Sequence, residues 1–285
     1  VFTHRRRRRE RVSGYGLAMP VPGWRRKLLA ASPVARAVLA GRIGTRGAVV
    51  LGYHDVTPDA EDPDVYRLAP EQFARQLDLV RAWGLEVVPL GTVVERLEAG
   101  RPVDGLAAVT FDDALAGVYE LAAGILAERG LAATVFASPG ALGCEHPGWP
   151  GAVRAMSEGQ LAELAASGFT VGSHGVTHRP LPGLDRAEQS AELTDSRARL
   201  EDLVGAPVDL FAYPEGRHDP ASRALVVDAG YRAAFGFAGG RVLPGDDMRA
   251  LSRVCMYRGQ GRLRLAHDLA RPAAAWPPDP YLAAD

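Results

Sequence analysis

The sequence predicts an α/β fold built on a parallel sheet, and three observations point there. Apolar runs of four to seven residues recur along the chain, as expected of strands buried on both faces. Stretches with apolar residues at helical spacing alternate with them, several ending at glycine. The runs number seven or eight, and a chain of 285 residues has the length of one α/β barrel domain. That count suits a barrel better than an open sheet, although alternation alone leaves both open.

The first run is Ala48–Asp55, apolar until it ends in Tyr53-His54-Asp55. A loop rich in Pro, Asp and Glu (58–70) leads to a helix over 71–83, where Phe73, Leu77, Val80 and Trp83 share a face before Gly84. A short strand (86–90) and short helix (92–99) precede Ala107-Ala108-Val109-Thr110-Phe111, which ends abruptly in Asp112-Asp113. A helix over 119–129 stops at Gly130, and 132–137 is the next strand. The stretch 138–156, with three Pro and four Gly, is the longest interruption. Ser157-x-x-Gln160 is a capping-box signature opening a helix to Ser167. Phe169–Ser173 is a strand, 186–204 a long charged helix stopped by Gly205, and 208–213 a strand. A helix (221–229), strands at 231–237 and 250–257, and a helix over 263–270 finish the body. No internal repeat and no second domain is evident.

Charge divides the chain. Residues 1–47 carry twelve Arg or Lys against one acid, Glu10, whereas the remainder carries 21 basic and 33 acidic side chains. A like-charge block such as Arg5–Arg9 stays unstructured and self-repelling. The expected organisation is a basic arm (1–47), a catalytic domain (48–272) and a Pro-rich tail (273–285). The arm reads as a leader, with Met19 as an alternative start, and could touch an anionic membrane surface. It lacks an apolar signal core, and no run reaches the ~20 apolar residues of a spanning helix. That favours the cytoplasm, with cell-envelope association the alternative. Cys144, in a loop, and Cys255, in a strand, form no disulfide framework or metal spacing and are expected to pack as ordinary side chains. No phosphate-cradling glycine loop, serine elbow or nucleotide fingerprint is present, and no nucleic-acid partner is expected.

Two strand ends carry charge where a dry core would not. Taken alone, Asp112-Asp113 fits a solvated turn capping a helix. The run Ser173-His174-Gly175-Val176-Thr177-His178 also ends a strand, and Gly175, Val176 and Thr177 are poor helix formers, so the two histidines belong on a turn. In α/β barrels the carboxyl ends of the strands converge on one face. Two imidazoles and a carboxylate there make an open ligand set for a divalent metal, which activates water, while a second carboxylate can serve as general base.

These residues resemble the polysaccharide deacetylases, the NodB-homology group or carbohydrate esterase family 4. Thr110-Phe111-Asp112-Asp113 and Ser173-His174-x-x-x-His178 look like the first two motifs, and Phe211-Ala212-Tyr213-Pro214-Glu215-Gly216 matches the third in part. The resemblance covers about residues 48–258. It implies a distorted (β/α) barrel of about seven parallel strands and metal-dependent removal of an N-acetyl, less often O-acetyl, group from an acetylated glycan or amino sugar. It implies Asp112 as base, Asp113, His174 and His178 as ligands of Zn2+ (Co2+, Ni2+ or Mn2+ as alternatives), and Tyr213, Pro214 and Glu215 at the substrate, with the Glu215 N–H on the oxyanion.

The departures are specific. Ala114 stands where the family has Gly, a change a helix start would tolerate. Ala212 stands where an Arg would pair with the base, and Glu215 where Tyr is common. Leu251-Ser252-Arg253 puts Arg253 where a histidine acid is expected, and an arginine donates no proton at neutral pH. Arg253 is therefore the candidate partner of Asp112, and His54 the candidate for supporting or proton-transfer work, or else a structural histidine bonding to the loop, with His218 a weaker candidate expected at the surface. The alternatives are a non-catalytic glycan-binding barrel, a hydrolase of a non-glycan amide, and a non-haem iron oxygenase, whose usual all-β barrel and ligand spacing argue against it.

Overall fold

The computed structural model describes residues 43, 46–59, 62–149, 151 and 153–271. The Pro-rich tail lies outside the described residues, as does the basic arm apart from residues 43, 46 and 47. Ile43 packs in the core, and the Arg46 and Gly47 carbonyls accept from Arg241, so packed structure reaches to the arm side of residue 48.

Ten strands are described: β1 Val49–Tyr53, β2 Asp55–Val56, β3 Arg67–Leu68, β4 Glu86–Val87, β5 Leu106–Phe111, β6 Thr134–Ala137, β7 Thr170–Ser173, β8 Leu210–Ala212, β9 Ala233–Phe235 and β10 Val254–Cys255. The helices are α1 Pro70–Ala82, α2 Leu90–Glu98, α3 Ala123–Ala127 (continuing a π-helical turn, Val118–Ala122), α4 Glu158–Ala166, α5 Arg186–Val204, α6 Pro220–Asp228 and α7 Arg262–Ala270. Ser157 caps α4 and Asp185 caps α5 through complete capping boxes, and Gly205 (φ 65°) ends α5. No helix among the described residues is long and apolar enough to cross a membrane.

Seven parallel strands curl in the order β10-β1-β5-β6-β7-β8-β9, with β4 beside the start of β5. One segment brings the two edges together. Leu251 and Arg253 bond to the β9 side, through Leu251 N–H to Ala234 O (2.8 Å) and Arg253 N–H to Gly236 O (3.1 Å). Val254 and Cys255 then pair with Leu51 and Gly52 of β1. The sequence suggests one strand over 250–257. Because this segment changes partner midway, only Val254–Cys255 forms a ladder.

Alternation along the strands separates two cores. Val49, Leu51, Val109, Phe111, Val135 and Phe211 face outward onto Phe73, Leu77, Leu161, Leu193, Leu225 and Leu265 of the helices. Val50, Ala108, Phe136, Leu210, Ala212 and Phe235 face inward, closed below by Val93, Val94 and Leu97 of α2. Parity therefore decides which residues beyond the strand ends can enter the site.

Gly172 illustrates how tightly the interior is filled. A Cβ there would lie 2.5 Å from the Phe136 ring and 3.1 Å from Leu210 O, whereas one at Gly124, exposed on α3, meets nothing within 4 Å. Gly172→Ala is expected to lower the unfolding free energy by about 1–3 kcal/mol. Gly124→Ala should raise it by about 0.5–1 kcal/mol. Urea unfolding of both variants checks this, and a neutral Gly172→Ala contradicts the packing.

Candidate active site

The inward rows of β5 and β7 lead straight into the site. Asp112 continues Ala108 and Thr110, and His174 continues Gly172. Strict alternation would send Asp113 to the helix side. Instead its backbone turns left-handed (φ 67°), followed by Ala114 (φ 49°), and both adjacent carboxylates reach the same cavity. His178 (φ 62°) and Glu215 (φ 56°) are the other two non-glycine residues with positive φ among those described. Each such backbone costs on the order of 1–3 kcal/mol. Three of the four line one cavity and the fourth adjoins it. Ala114 thus occupies a left-handed turn, not the helix start expected for it, which is why glycine suits that position.

The cavity has a volume of about 140 Å³. This is well below the roughly 300–1,000 Å³ of drug-sized ligand pockets. It has room for an acyl group and water, and anything larger lies outside. Its walls are His54, Tyr66, Trp149, Phe237 and Cys255, with Asp112, Asp113, His174, His178 and Glu215 supplying the chemistry. A larger depression, about 630 Å³, lies between α1 and the start of α7, beside Gln72, Arg75 and Gln260. None of the expected site residues lines it, so the smaller cavity is the site.

Asp112 is 1% exposed and Arg253 0%. The guanidinium grips the carboxylate with both arms, Nη1 to Oδ1 at 2.6 Å and Nη2 to Oδ2 at 2.8 Å, and Nη1 also donates to Thr110 Oγ1 at 3.3 Å. Its carbon lies 4.1 Å from the Phe237 ring centroid and 5.2 Å from that of Phe136. Burial works to raise the Asp112 pKa, but Arg253, with His174 nearby, outweighs it and holds the carboxyl below its usual range. Arg253 therefore stands where the absence of arginine at 212 left a gap.

Asp113 is held by Trp149, whose Nε1–H donates to Oδ2 at 2.6 Å. Its Oδ1 is buried without a hydrogen bond of good geometry, and Nε2 atoms of His178, His174 and His146 lie 3.1, 3.5 and 3.5 Å away. Burial works to raise the Asp113 pKa, yet His178 above all holds it well below the usual value. Burial pushes His174 down to about 4. Burial likewise lowers His146, whereas at His178 it is more than offset by Asp113 and the pKa rises. An orphaned carboxylate oxygen ringed by imidazole nitrogens is the donor set of a divalent cation.

The sequence reading missed His146, which the 138–156 loop returns to the site through antiparallel bridges Glu145↔Arg154 and Leu115↔Ala155. Asp113, His146 and His178 place ligand atoms within 4.8 Å of one another. Hydrogen bonds sort the three imidazoles. His174 Nδ1 meets the Ala212 carbonyl at 2.7 Å, so it carries the proton and Nε2 is free to coordinate. His146 Nδ1 accepts the Gly148 N–H at 3.2 Å, so its Nε2 carries the proton and faces Asp113 as a donor. Of the expected ligands, Asp113 and His178 belong to that cluster with His146, while His174 stands beside it, its Nε2 3.5 Å from Asp113 Oδ1. The signal of His146 in the sequence is weak: a histidine in the longest loop, three residues before Trp149.

The third motif reaches the site in part. Parity turns Tyr213 outward; it is buried, its hydroxyl donates to Arg249 O at 2.8 Å, and it does not line the cavity. Pro214 is buried behind the cavity, and Glu215 lies on its rim. The turn uses Gly216 N–H to Tyr213 O (2.8 Å) and Arg217 N–H to Pro214 O (3.1 Å), not the Glu215 N–H. His54 lies in the cavity wall, its ring centroid 5.9 Å from Phe237, 5.7 Å from Trp149 and 4.9 Å from Tyr66. His218 is half-buried, not at the surface as expected, packed 4.8 Å from the Tyr213 ring and outside the cavity.

The curled parallel sheet has the fold of the NodB-type deacetylases. Residues 99–234 match the family model for polysaccharide deacetylase. Over 159 residues it is 27% identical to "Putative polysaccharide deacetylase YxkH" of Bacillus subtilis, an alignment covering 56% of this chain and 54% of that one. The chain therefore spans about half the length of that relative. Among solved structures, IcaB from Ammonifex degensii superposes with a TM-score of 0.70 at 25% identity, over 81% of this chain and 100% of that one. The Streptococcus pyogenes deacetylase PplD, in complex with acetate, gives 0.68 at 20% identity, over 79% and 99%.

Two predictions follow from the charges. Arg253→Met leaves a buried carboxylate unpaired and is expected to lose about 3–5 kcal/mol at pH 7 in urea unfolding. With Arg253 present the folded pKa of Asp112 is lowered, so its stabilisation is complete above the unfolded value of about 3.9 and fades as pH falls through the folded one. Without Arg253, burial raises the folded pKa, so the deficit should shrink as pH falls towards 4; a deficit independent of pH counts against the pairing. For the ligands, equilibrium dialysis with zinc should show loss of the ion in His174→Gln and His178→Gln and retention in His146→Gln. The reverse pattern for His174 and His146 would make His146 the ligand.

Proposed function

We propose that this protein is a metal-dependent deacetylase that removes N-acetyl groups, with O-acetyl groups as a lesser substrate, from an acetylated sugar or polysaccharide. The observation that carries the reading is the Arg253-clamped Asp112 beside the Asp113 and histidine cluster in one small cavity. A divalent cation held by Asp113, His174 and His178, zinc foremost with cobalt, nickel or manganese as alternatives, would polarise the scissile carbonyl and lower the pKa of a water. Asp112 takes the proton of the attacking water, and Arg253 keeps it ionised and oriented. The Glu215 N–H donates to the oxyanion as it develops. His54, in the cavity wall, is the group available to protonate the leaving amine.

The small volume of the cavity supports a reading in which the acetyl group enters and the sugar stays at the rim, where Tyr66 and Trp149 offer flat apolar faces. The reading of a barrel that binds glycan without turnover rests on two absences, the motif arginine and the terminal histidine acid; Arg253 supplies a partner for Asp112, and acetate release decides the rest.

Acetate release from a panel of acetylated glycans tests this proposal. Chelation should abolish release and zinc should restore it. Asp112→Asn should lower kcat by 10²-fold or more, on the scale of general-base catalysis, with metal content unchanged. Release indifferent to chelation, or undiminished in Asp112→Asn, sinks the mechanism.

A further inference from the structure

One buried carboxylate takes no part in this chemistry. Glu192 of α5 is 4% exposed and lies on the outer side of the sheet, behind the turn between His174 and His178. That turn is neither helix nor strand, and Gly175 (φ 75°) and His178 (φ 62°) both take left-handed backbone. Its amides find their acceptor in Glu192: Oε2 accepts the N–H groups of Val176 (2.6 Å) and Thr177 (2.9 Å), and Oε1 accepts the Thr177 hydroxyl. Arg179 balances the charge at 3.5 Å from Oε1. The approach is close enough that a Cβ at Gly175 would stand 3.0 Å from Oε2. One helical turn further along α5, Ser196 bonds Ser173 at 2.7 Å, and Ser173 Oγ accepts the Gly175 N–H at 3.3 Å. The face of α5 thus fastens both halves of the histidine turn.

We infer that Glu192 is a positioning residue for the metal site, whose carboxylate sets the turn so that His174 and His178 face Asp113 together. This rests on the metal-dependent reading above. A buried carboxylate meeting three donors is more than helix packing requires, and an apolar side chain there would leave two amides unpaired. Partners of this indirect kind typically alter metal affinity 10–100-fold when removed.

The test measures zinc affinity by chelator competition, with the Co2+ absorption spectrum as a report on ligand geometry. Glu192→Ala should weaken zinc 10–100-fold, alter the Co2+ bands and speed hydrogen exchange at the Val176 and Thr177 amides. Glu192→Gln, whose single carbonyl oxygen can still accept both amides, should stay within about threefold of the parent, as the loss is of an acceptor and not of packing. Should Glu192→Ala not fold, Glu192→Asp, too short to reach both amides, takes its place with the same expectation. Unchanged zinc affinity and an unchanged spectrum in a folded Ala or Asp variant overturn the role of Glu192 alone. Absence of zinc binding by the parent protein overturns the metal reading and this inference with it.

Discussion

The ion pair between Arg253 and Asp112 is the constraint on which both the fold and the site depend. Desolvating each ion costs several kcal/mol, and only well-matched hydrogen bonds offset it. Here the offsets are a two-armed grip, a third bond to Thr110 and the faces of two phenylalanine rings. Arg253 lies in the segment that changes partner from the β9 side to β1. The closing of the curled sheet and the ionisation of Asp112 are therefore one structural event. A chain that failed to bring 251–255 across would leave Asp112 buried and uncompensated.

A second constraint is parity. Adjacent residues of a strand face opposite ways, yet two neighbouring aspartates serve one cavity. The conflict is resolved in the backbone, at the cost of left-handed conformations at Asp113 and Ala114. Asp112 keeps the strand's geometry and faces Arg253 across the interior. Asp113 leaves it and meets the histidines. Division of labour between two identical side chains comes from where the strand stops, a feature carried by φ angles and not by residue type.

Much of this was legible in the sequence, for physical reasons. Strands buried on both faces announce themselves as apolar runs, and charges at their ends stand out against them. The capping boxes at Ser157 and Asp185 are local chemistry; Asp112, Asp113 and His174 lie directly after strands, and His178 on the turn that follows. Arg253 could be anticipated because a buried base without its motif arginine needs another cation. What stayed hidden depends on contacts distant in sequence. His146 gains meaning only when its loop folds back beside Asp113. Tyr213 looked like a site residue by motif position, but parity on β8 turns it outward. The single strand expected over 250–257 failed because it serves two edges in turn.

Ala212 and Arg253 make sense as a pair. Ala212 faces inward from β8 into the interior that holds Phe136, over whose ring the Arg253 guanidinium also lies. A long cation at 212 would compete for that volume with the guanidinium and with Phe136 and Phe237. The small side chain leaves the space open, while the Ala212 carbonyl fixes the tautomer of His174 at 2.7 Å. One position thus leaves interior volume open and supplies, through its backbone, the bond that leaves His174 Nε2 free. The charge beside Asp112 comes from the segment that crosses to β1 and not from β8.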